Sequence, residues 1–386
     1  METHTQGNVI QVSATRGIDV GKIEKELAAM WQQASVAEGV DDSGVVRACA
    51  LNLIVYTTVA DDRARLEEML ATVNEQHPGR ALVLVADRGA SAARLEAYVS
   101  SRCRHLGASK LQVCGEQVTI EACGPIVETA ASAIAPLLVA DVPVFLWWKD
   151  IPHDGDKLFD RMSRMADRVV IDSASFDHPY EDMLRLALVV RELGRDARVS
   201  DLNWGRLTSW RTLLASFWDV AEYRSHLERI HRVTIEYDAP NIAPAEIAPK
   251  ALLVAGWLAS RLGWKVEGGV TKEGNTALFT LAAPERAVTV EMRATHDEKG
   301  GDGMLASLTL TEESGGASFS VSLSRDGKRL ETKATVGGAH TVGRVLAYEQ
   351  KTEGQRLSRE FGLLARDLIY EKTLAVAAQL IEAVPR

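Results

Sequence analysis

The run Arg47-Ala-Cys-Ala-Leu-Asn-Leu-Ile-Val-Tyr56 is a nearly continuous apolar stretch rich in strand-forming residues. A strand wet on one face alternates polar and apolar positions, whereas a strand without alternation is covered on both faces, as in a sheet sandwiched between helices. The next segment agrees. After the acidic start Asp61-Asp62, the residues Leu66, Met69, Leu70 and Val73 keep the i, i+3, i+4, i+7 spacing of an amphipathic helix. A second buried strand follows over 80–86. Upstream, Ile23, Leu27, Met30 and Trp31 share one face of a helix over 19–34.

Downstream, residues 110–122 alternate like a strand or a pair of strands, and 125–139 read as an Ala-rich helix with Pro125 near its first turn. Strands over 142–148 and 168–173 flank a helix near 157–166. Helices near 180–192 and from about 207 to 230 close this half. The alternation of strand and helix predicts an α/β N-terminal domain, a mostly parallel sheet with right-handed crossovers and helices on both faces.

The texture then changes. A strand over 231–237, a connector stiffened by Pro240, Pro244 and Pro249, and an apolar helix over 250–262 lead into short strands at 264–270, 277–282, 287–293, 305–310 and 318–323. Phe319, Val321 and Leu323 alternate with Ser318, Ser320 and Ser322, the pattern of an antiparallel sheet wet on one face. A long terminal helix over 355–384, carrying Leu357, Phe361, Leu364, Leu368 and Ile369, is expected to cover the dry side. The expected division is an α/β domain over 1–225 and an α+β domain over 226–386, an antiparallel meander covered by helices.

Composition narrows the function. The chain has 386 residues, 46% hydrophobic and 25% charged, which excludes global disorder. Its formal charge of −9, without a basic run, argues against nucleic-acid or membrane partners. No apolar stretch approaches the ~20 residues of a membrane helix. The N-terminal residues lack the basic start and apolar core of a secretory signal, so a cytoplasmic location is expected. Cys49, Cys103, Cys114 and Cys123 form no Cys-x-x-Cys pair and are read as buried or half-buried thiols.

No dinucleotide fingerprint, phosphate loop, zinc helix or nucleophile elbow is present, so no catalytic residue, cofactor or metal is expected. His153, Asp154 and Asp156 follow a strand, where α/β sheets bind ligands, but the favoured reading is a solvated turn around Pro152 and Gly155, because turn chemistry alone explains these residues. An enzyme or sugar-phosphate site at the strand ends, near Trp148, His153 and Asp172, is the alternative reading. Two aromatic features stand out. Trp147 and Trp148 are adjacent on a strand and so face opposite sides. Trp204, Trp210 and Trp218 are interleaved with Asn203, Arg206 and Arg211. Trp and Arg are enriched at the energetic centres of interfaces, which makes Trp204, Arg206, Trp210, Arg211 and Trp148 candidate partner contacts. The other reading is that the tryptophans anchor a loop while the arginines bond a nearby carboxylate or helix end.

Several runs, in order and spacing, resemble the OpcA family of glucose-6-phosphate dehydrogenase assembly proteins. They are Arg47-Ala-Cys-Ala-Leu-Asn-Leu-Ile-Val, His77-Pro-Gly-Arg80, Cys114-Gly-Glu-Gln117, Pro143-Val-Phe-Leu-Trp-Trp148, Asp167-Arg-Val-Val-Ile-Asp-Ser173 and Asp201-Leu-Asn-Trp-Gly-Arg-Leu-Thr-Ser-Trp-Arg211. Beyond residue 226 the likeness rests mainly on the run from Leu252 to Trp264. The resemblance implies a non-catalytic accessory protein whose partner is glucose-6-phosphate dehydrogenase, promoting assembly or activation of that tetramer in the oxidative pentose phosphate pathway. The family's photosynthetic members are associated with thioredoxin-linked control. No cysteine follows Cys123 here, so a regulatory pair in the C-terminal half is not expected.

Overall fold

The structure is a computed structural model that describes residues 9–12, 16–37, 45–47, 49–105, 112–153, 155–193, 198–296, 302–313, 316–341, 343–363 and 365–385. Its strands begin with β1 (Val9–Val12), β2 (Arg16–Gly17), β3 (Val45–Arg47), β4 (Asn52–Thr58), β5 (Arg80–Asp87), β6 (Arg94–His105), β7 (Gln112–Cys123), β8 (Val144–Trp148), β9 (Arg168–Ile171) and β10 (Arg198–Asp201). Among and just after them lie α1 (Val20–Ala37), α2 (Arg63–Gln76), α3 (Ala130–Ile134), α4 (Lys157–Ser163), α5 (Pro179–Leu193), α6 (Leu202–Arg206), α7 (Thr208–Ala215) and α8 (Arg224–Leu227). The later strands are β11 (Ile230–Asp238), β12 (Lys265–Glu273), β13 (Thr276–Ala283), β14 (Arg286–Thr295), β15 (Leu305–Glu312), β16 (Ala317–Leu323), β17 (Arg329–Val336), β18 (Ala339–Thr341) and β19 (Val345–Ala347). The last helices are α9 (Pro249–Leu262), α10 (Glu353–Glu360) and α11 (Leu368–Glu382).

By contacts the chain forms two compact units, Met1–Ile171 with Leu193–Ser200 and Lys351–Ala365, and Asp172–Glu192 with Asp201–Gln350 and Arg366–Arg386. The first sheet runs in the order β1-β6-β7-β5-β4-β8-β9-β10. From β7 through β5, β4 and β8 to β9 the neighbours are parallel, whereas β6 pairs antiparallel with β7 and with β1. Every residue of β4 except the last is buried, as its apolar run requires. The expected strand over 47–56 is divided, however. β3 pairs with β7, whereas β4 lies between β5 and β8, so the backbone leaves one ladder and enters another between Arg47 and Asn52. Asn52 closes the entry by exchanging two 2.9 Å bonds with the backbone of Val139.

Capping sets the helix starts. Asp62 accepts from the amides of Ala64 and Arg65 at the head of α2, and Asp156 from those of Leu158 and Phe159 at the head of α4. The expected helix over 125–139 is instead a 3-10 turn, the short α3 and a second 3-10 turn at Ala135–Leu137, where Pro136 interrupts the helical ladder. The strand β6 had no counterpart in the sequence reading.

The second sheet, β12-β13-β14-β11-β15-β16-β17-β18 with β19 on β17, is antiparallel except for the β11/β14 pair. Its dry face includes Val233, Ile235, Val290, Leu308 and Phe319, each at most 1% exposed. The expected helix over 207–230 is broken into α7, two 3-10 turns and α8. Phe217, Trp218 and Tyr223 all bring their rings to within 5.3 Å of Phe319. At about 100° per residue, positions i, i+1 and i+6 of one helix point to different sides, so the chain must bend to make all three contacts. α9 and α11 pack closely at Gly256, where a Cβ would stand 2.4 Å from the Thr373 carbonyl oxygen.

The single terminal helix expected over 355–384 is two helices. Arg168, buried at 2% exposure, donates to the carbonyls of Leu363 and Ala365, taking acceptors that a continuous helix would use. Asp367 then caps α11 through the amides of Ile369 and Tyr370. The thiol reading also changes. Cys49 and Cys123 are free, but Cys114 is disulfide-bonded, and its backbone partner across the ladder is Cys103.

Candidate functional site

Several residues of the quoted runs form buried ion pairs inside the first unit. Arg80 donates to Glu116 at 2.8 Å, to Glu24 at 2.6 Å and to the Leu137 carbonyl at 2.8 Å. Arg168 reaches Ser200 Oγ at 2.5 Å, and Asp167 accepts from the Val144 amide at 2.9 Å. Gly115 sits against Asn74, whose Oδ1 a Cβ would approach to 1.9 Å. These residues hold the sheet and its helices in register.

Trp148 is 1% exposed and stacks on Tyr56, with ring centroids 3.7 Å apart and planes 5° from parallel. Trp147 is equally buried, so both faces of β8 are covered, and neither Trp is left near an open strand end. The Nε1 atoms of both have no hydrogen-bond partner among the described residues. Arg88 ties this layer together, donating to the Tyr56 hydroxyl at 3.1 Å, to Glu128 at 2.7 Å and to both oxygens of Asp156. His153 is exposed and its carbonyl closes a turn with the Asp156 amide at 3.0 Å. Asp154 lies outside the described residues. Asp156 is engaged by Arg88 and by two helix amides, and among the described residues no group of three His, Cys, Asp or Glu side chains could hold a metal.

In the second unit the run from Asp172 to Arg211 closes around Asp201. Asp201 is 2% exposed and accepts from the Ser173 amide at 3.0 Å, the Ser173 hydroxyl at 2.7 Å, the Asn203 amide at 2.8 Å and the Tyr370 hydroxyl at 3.4 Å. Burial, and then the neighbouring charge of Asp172, push its carboxyl up to about 6. Arg206 grips Asp172 with two bonds, 2.5 and 2.7 Å. Trp204 is buried, and its indole N–H donates to Asp367 at 2.8 Å while the Arg211 guanidinium lies 3.4 Å from its ring centroid. Trp210 is 2% exposed. Asn203 Nδ2 donates to Ser173 Oγ, leaving Oδ1 without a partner among the described residues. Asn203 also lines a cavity of about 70 Å3 with Asp177, Lys250 and Asp302.

Trp204, Arg206, Trp210 and Arg211 are thus gathered in one segment of the second unit, whereas Trp148 and His153 belong to the first. The three tryptophans have their rings in protein, and the half-exposed members of the segment are Gly205, Arg206, Thr208, Ser209 and Arg211. The sequence reading missed Asp367 and Tyr370 as partners of this segment. Asp367 was detectable as an Asp one residue before an apolar helical run, the usual position of a cap.

Fold and site together define a class: a two-unit α/β and α+β protein whose signature polar residues are spent on internal ion pairs and caps. The model described as "Glucose-6-phosphate dehydrogenase subunit N-terminal domain" matches residues 71–188, and the corresponding C-terminal domain model matches residues 197–374. The chain belongs to the OpcA family. It is 31% identical over 297 residues to the "Putative OxPP cycle protein OpcA" of Nostoc punctiforme, covering 75% of this chain and 62% of that protein. Its identity to the protein of the same name from Synechocystis is 27% over 322 residues, covering 81% and 65%. The chain therefore spans less than two thirds of the length of the curated relatives it matches. Solved structures similar to it include an NAD binding oxidoreductase from Klebsiella pneumoniae, at 10% identity and a TM-score of 0.47, covering 87% of this chain and 96% of that one. A myo-inositol dehydrogenase from Lactobacillus casei is similar at 12% identity and a TM-score of 0.45, covering 86% and 93%.

Proposed function

We propose that this chain is a non-catalytic accessory protein that binds glucose-6-phosphate dehydrogenase and favours its active oligomer. The observation that carries the reading is the match of two consecutive domain models, both described as parts of a glucose-6-phosphate dehydrogenase subunit, in chain order over 71–188 and 197–374. A partner shifts an assembly equilibrium only by binding the two states unequally, and a tenfold shift takes about 1.4 kcal/mol. The 201–211 segment contributes through the half-exposed Arg206 and Arg211, while Trp204 and Trp210 hold the segment in place and Trp148 stays within its own layer.

The test combines the purified chain with a purified glucose-6-phosphate dehydrogenase, measuring co-elution, oligomer mass and kinetics. Co-elution with a changed mass or rate is expected. Separate elution with unchanged kinetics would remove the proposal, and turnover of a sugar phosphate by the chain alone would replace it with an enzymatic reading.

A further inference from the structure

The wet face of the second sheet carries an unusual set of side chains. Strand register places Leu278, Glu291, Thr234, Thr309, Ser320 and Lys333 in one row across β13, β14, β11, β15, β16 and β17. The row on one side reads Thr276, Arg293, Glu236, Ser307, Ser322 and Glu331. The row on the other reads Thr280, Thr289, Arg232, Thr311, Ser318 and Thr335. Hydroxyl residues fill most of this grid. Arg232, Arg293 and Lys333 balance Glu236, Glu291 and Glu331, so the face is neutral on a chain whose formal charge is −9.

The charges are also matched locally. Arg232 pairs with Glu291 at 3.0 Å, Arg293 bridges Glu291 and Glu236, and Ser307 donates to Glu236 at 2.8 Å. Apart from Glu291, the grid side chains are half-buried or exposed, in contrast to the dry face beneath them. Eleven of the eighteen grid side chains are the short Ser and Thr, and Arg232, Arg293, Glu236 and Glu291 are tied to one another along the sheet, so two such faces can approach toward the ~10 Å spacing of stacked sheets.

We propose that this face is a self-association surface on which a second copy of the chain docks about a two-fold axis. Two acidic copies repel each other on average, and a neutral face is where they meet without that penalty. Hydroxyls both donate and accept, so a hydroxyl surface is complementary to itself, as a two-fold interface requires. The six strands of the grid, spaced ~4.8 Å and each contributing about five residues of ~3.3 Å, give a footprint of about 29 by 16.5 Å, or about 480 Å2 per copy. Counted over both copies that is below ~1,200 Å2, the size of a weak, transient interface. The polar composition makes it an exchangeable dimer, not a permanent one.

Sedimentation equilibrium of the full chain, from about 1 to 100 µM, tests the proposal without any dehydrogenase present, so it stands or falls separately from the proposed function. A concentration-dependent doubling of mass is expected. Thr309→Arg and Ser320→Glu, at the centre of the grid, are expected to weaken the dimer at least tenfold, while Thr309→Ser leaves it intact. Circular dichroism and melting curves establish that each variant is folded. A wild-type chain that stays monomeric at about 100 µM, or a dimer indifferent to both charged variants, would overturn the proposal.

Discussion

Replacing Asp201 by Asn isolates the cost of a buried carboxylate. The folded chain raises this carboxyl from an ordinary 3.8 to about 6, first through burial and then through the charge of Asp172. A carboxyl that holds its proton more tightly in the folded than in the unfolded chain contributes full stability below about pH 4. That contribution is lost as the pH rises through 6. At about 1.4 kcal/mol per pH unit, the shift is worth on the order of 3 kcal/mol. Asn is nearly isosteric. Its Oδ1 can still accept from the amides of Ser173 and Asn203, and its Nδ2 can donate to the Ser173 and Tyr370 hydroxyls, both of which can accept. The assay is urea unfolding followed by tryptophan fluorescence at intervals from pH 4.5 to 7.5, for the wild type and the variant in parallel. The variant should gain on the wild type by about 2 kcal/mol as the pH rises across this window, because about 1 kcal/mol of the effect is already expressed by pH 4.5. A stability difference that does not change with pH would show that Asp201 does not titrate there and refute the reasoning.

Other expectations follow from single contacts. Trp204→Phe removes the indole N–H and leaves Asp367 Oδ2 without that donor, at a cost of about 1–3 kcal/mol visible as a lowered melting temperature; an unchanged temperature would show the bond to be inconsequential. Gly256→Ala presses a methyl group to 2.4 Å from the Thr373 carbonyl oxygen and should destabilise by about 1–3 kcal/mol in calorimetry, whereas a neutral result would mean that α9 and α11 can separate at little cost. Arg168→Met strips the Leu363 and Ala365 carbonyls of their donor, and limited proteolysis should then cut faster between Phe361 and Asp367; an unaltered cleavage rate would exclude Arg168 as the clasp of that turn.

Much of the fold was written in periodicity. The unalternating apolar run ending at Tyr56, the helical spacing from Leu66 to Val73 and the Ser-alternating strand at Phe319 each fix a local environment, because side-chain direction follows backbone period. Their structures agree with it: β4 is buried on both faces, α2 buries Leu66, Met69, Leu70 and Val73, and β16 buries Phe319 and Val321. What periodicity does not carry is where an element stops. The break between α10 and α11 depends on Arg168, roughly two hundred positions earlier in the chain, competing for carbonyls that a helix would otherwise use. The bends between Leu207 and Ile230 depend on aromatic contacts with Phe319, about a hundred positions further on.

The candidate site divides along the same line. The sequence by itself singled out Trp204, Arg206, Trp210 and Arg211 by composition, since few other segments concentrate large aromatic and guanidinium groups in this way. Only tertiary structure decided that the indoles are packed inward, that Arg206 is held by Asp172, and that Asp201 is buried with Tyr370 above it. The physical reason is that a residue's type and spacing are local properties, while burial, pairing and titration are set by neighbours that distant parts of the chain supply.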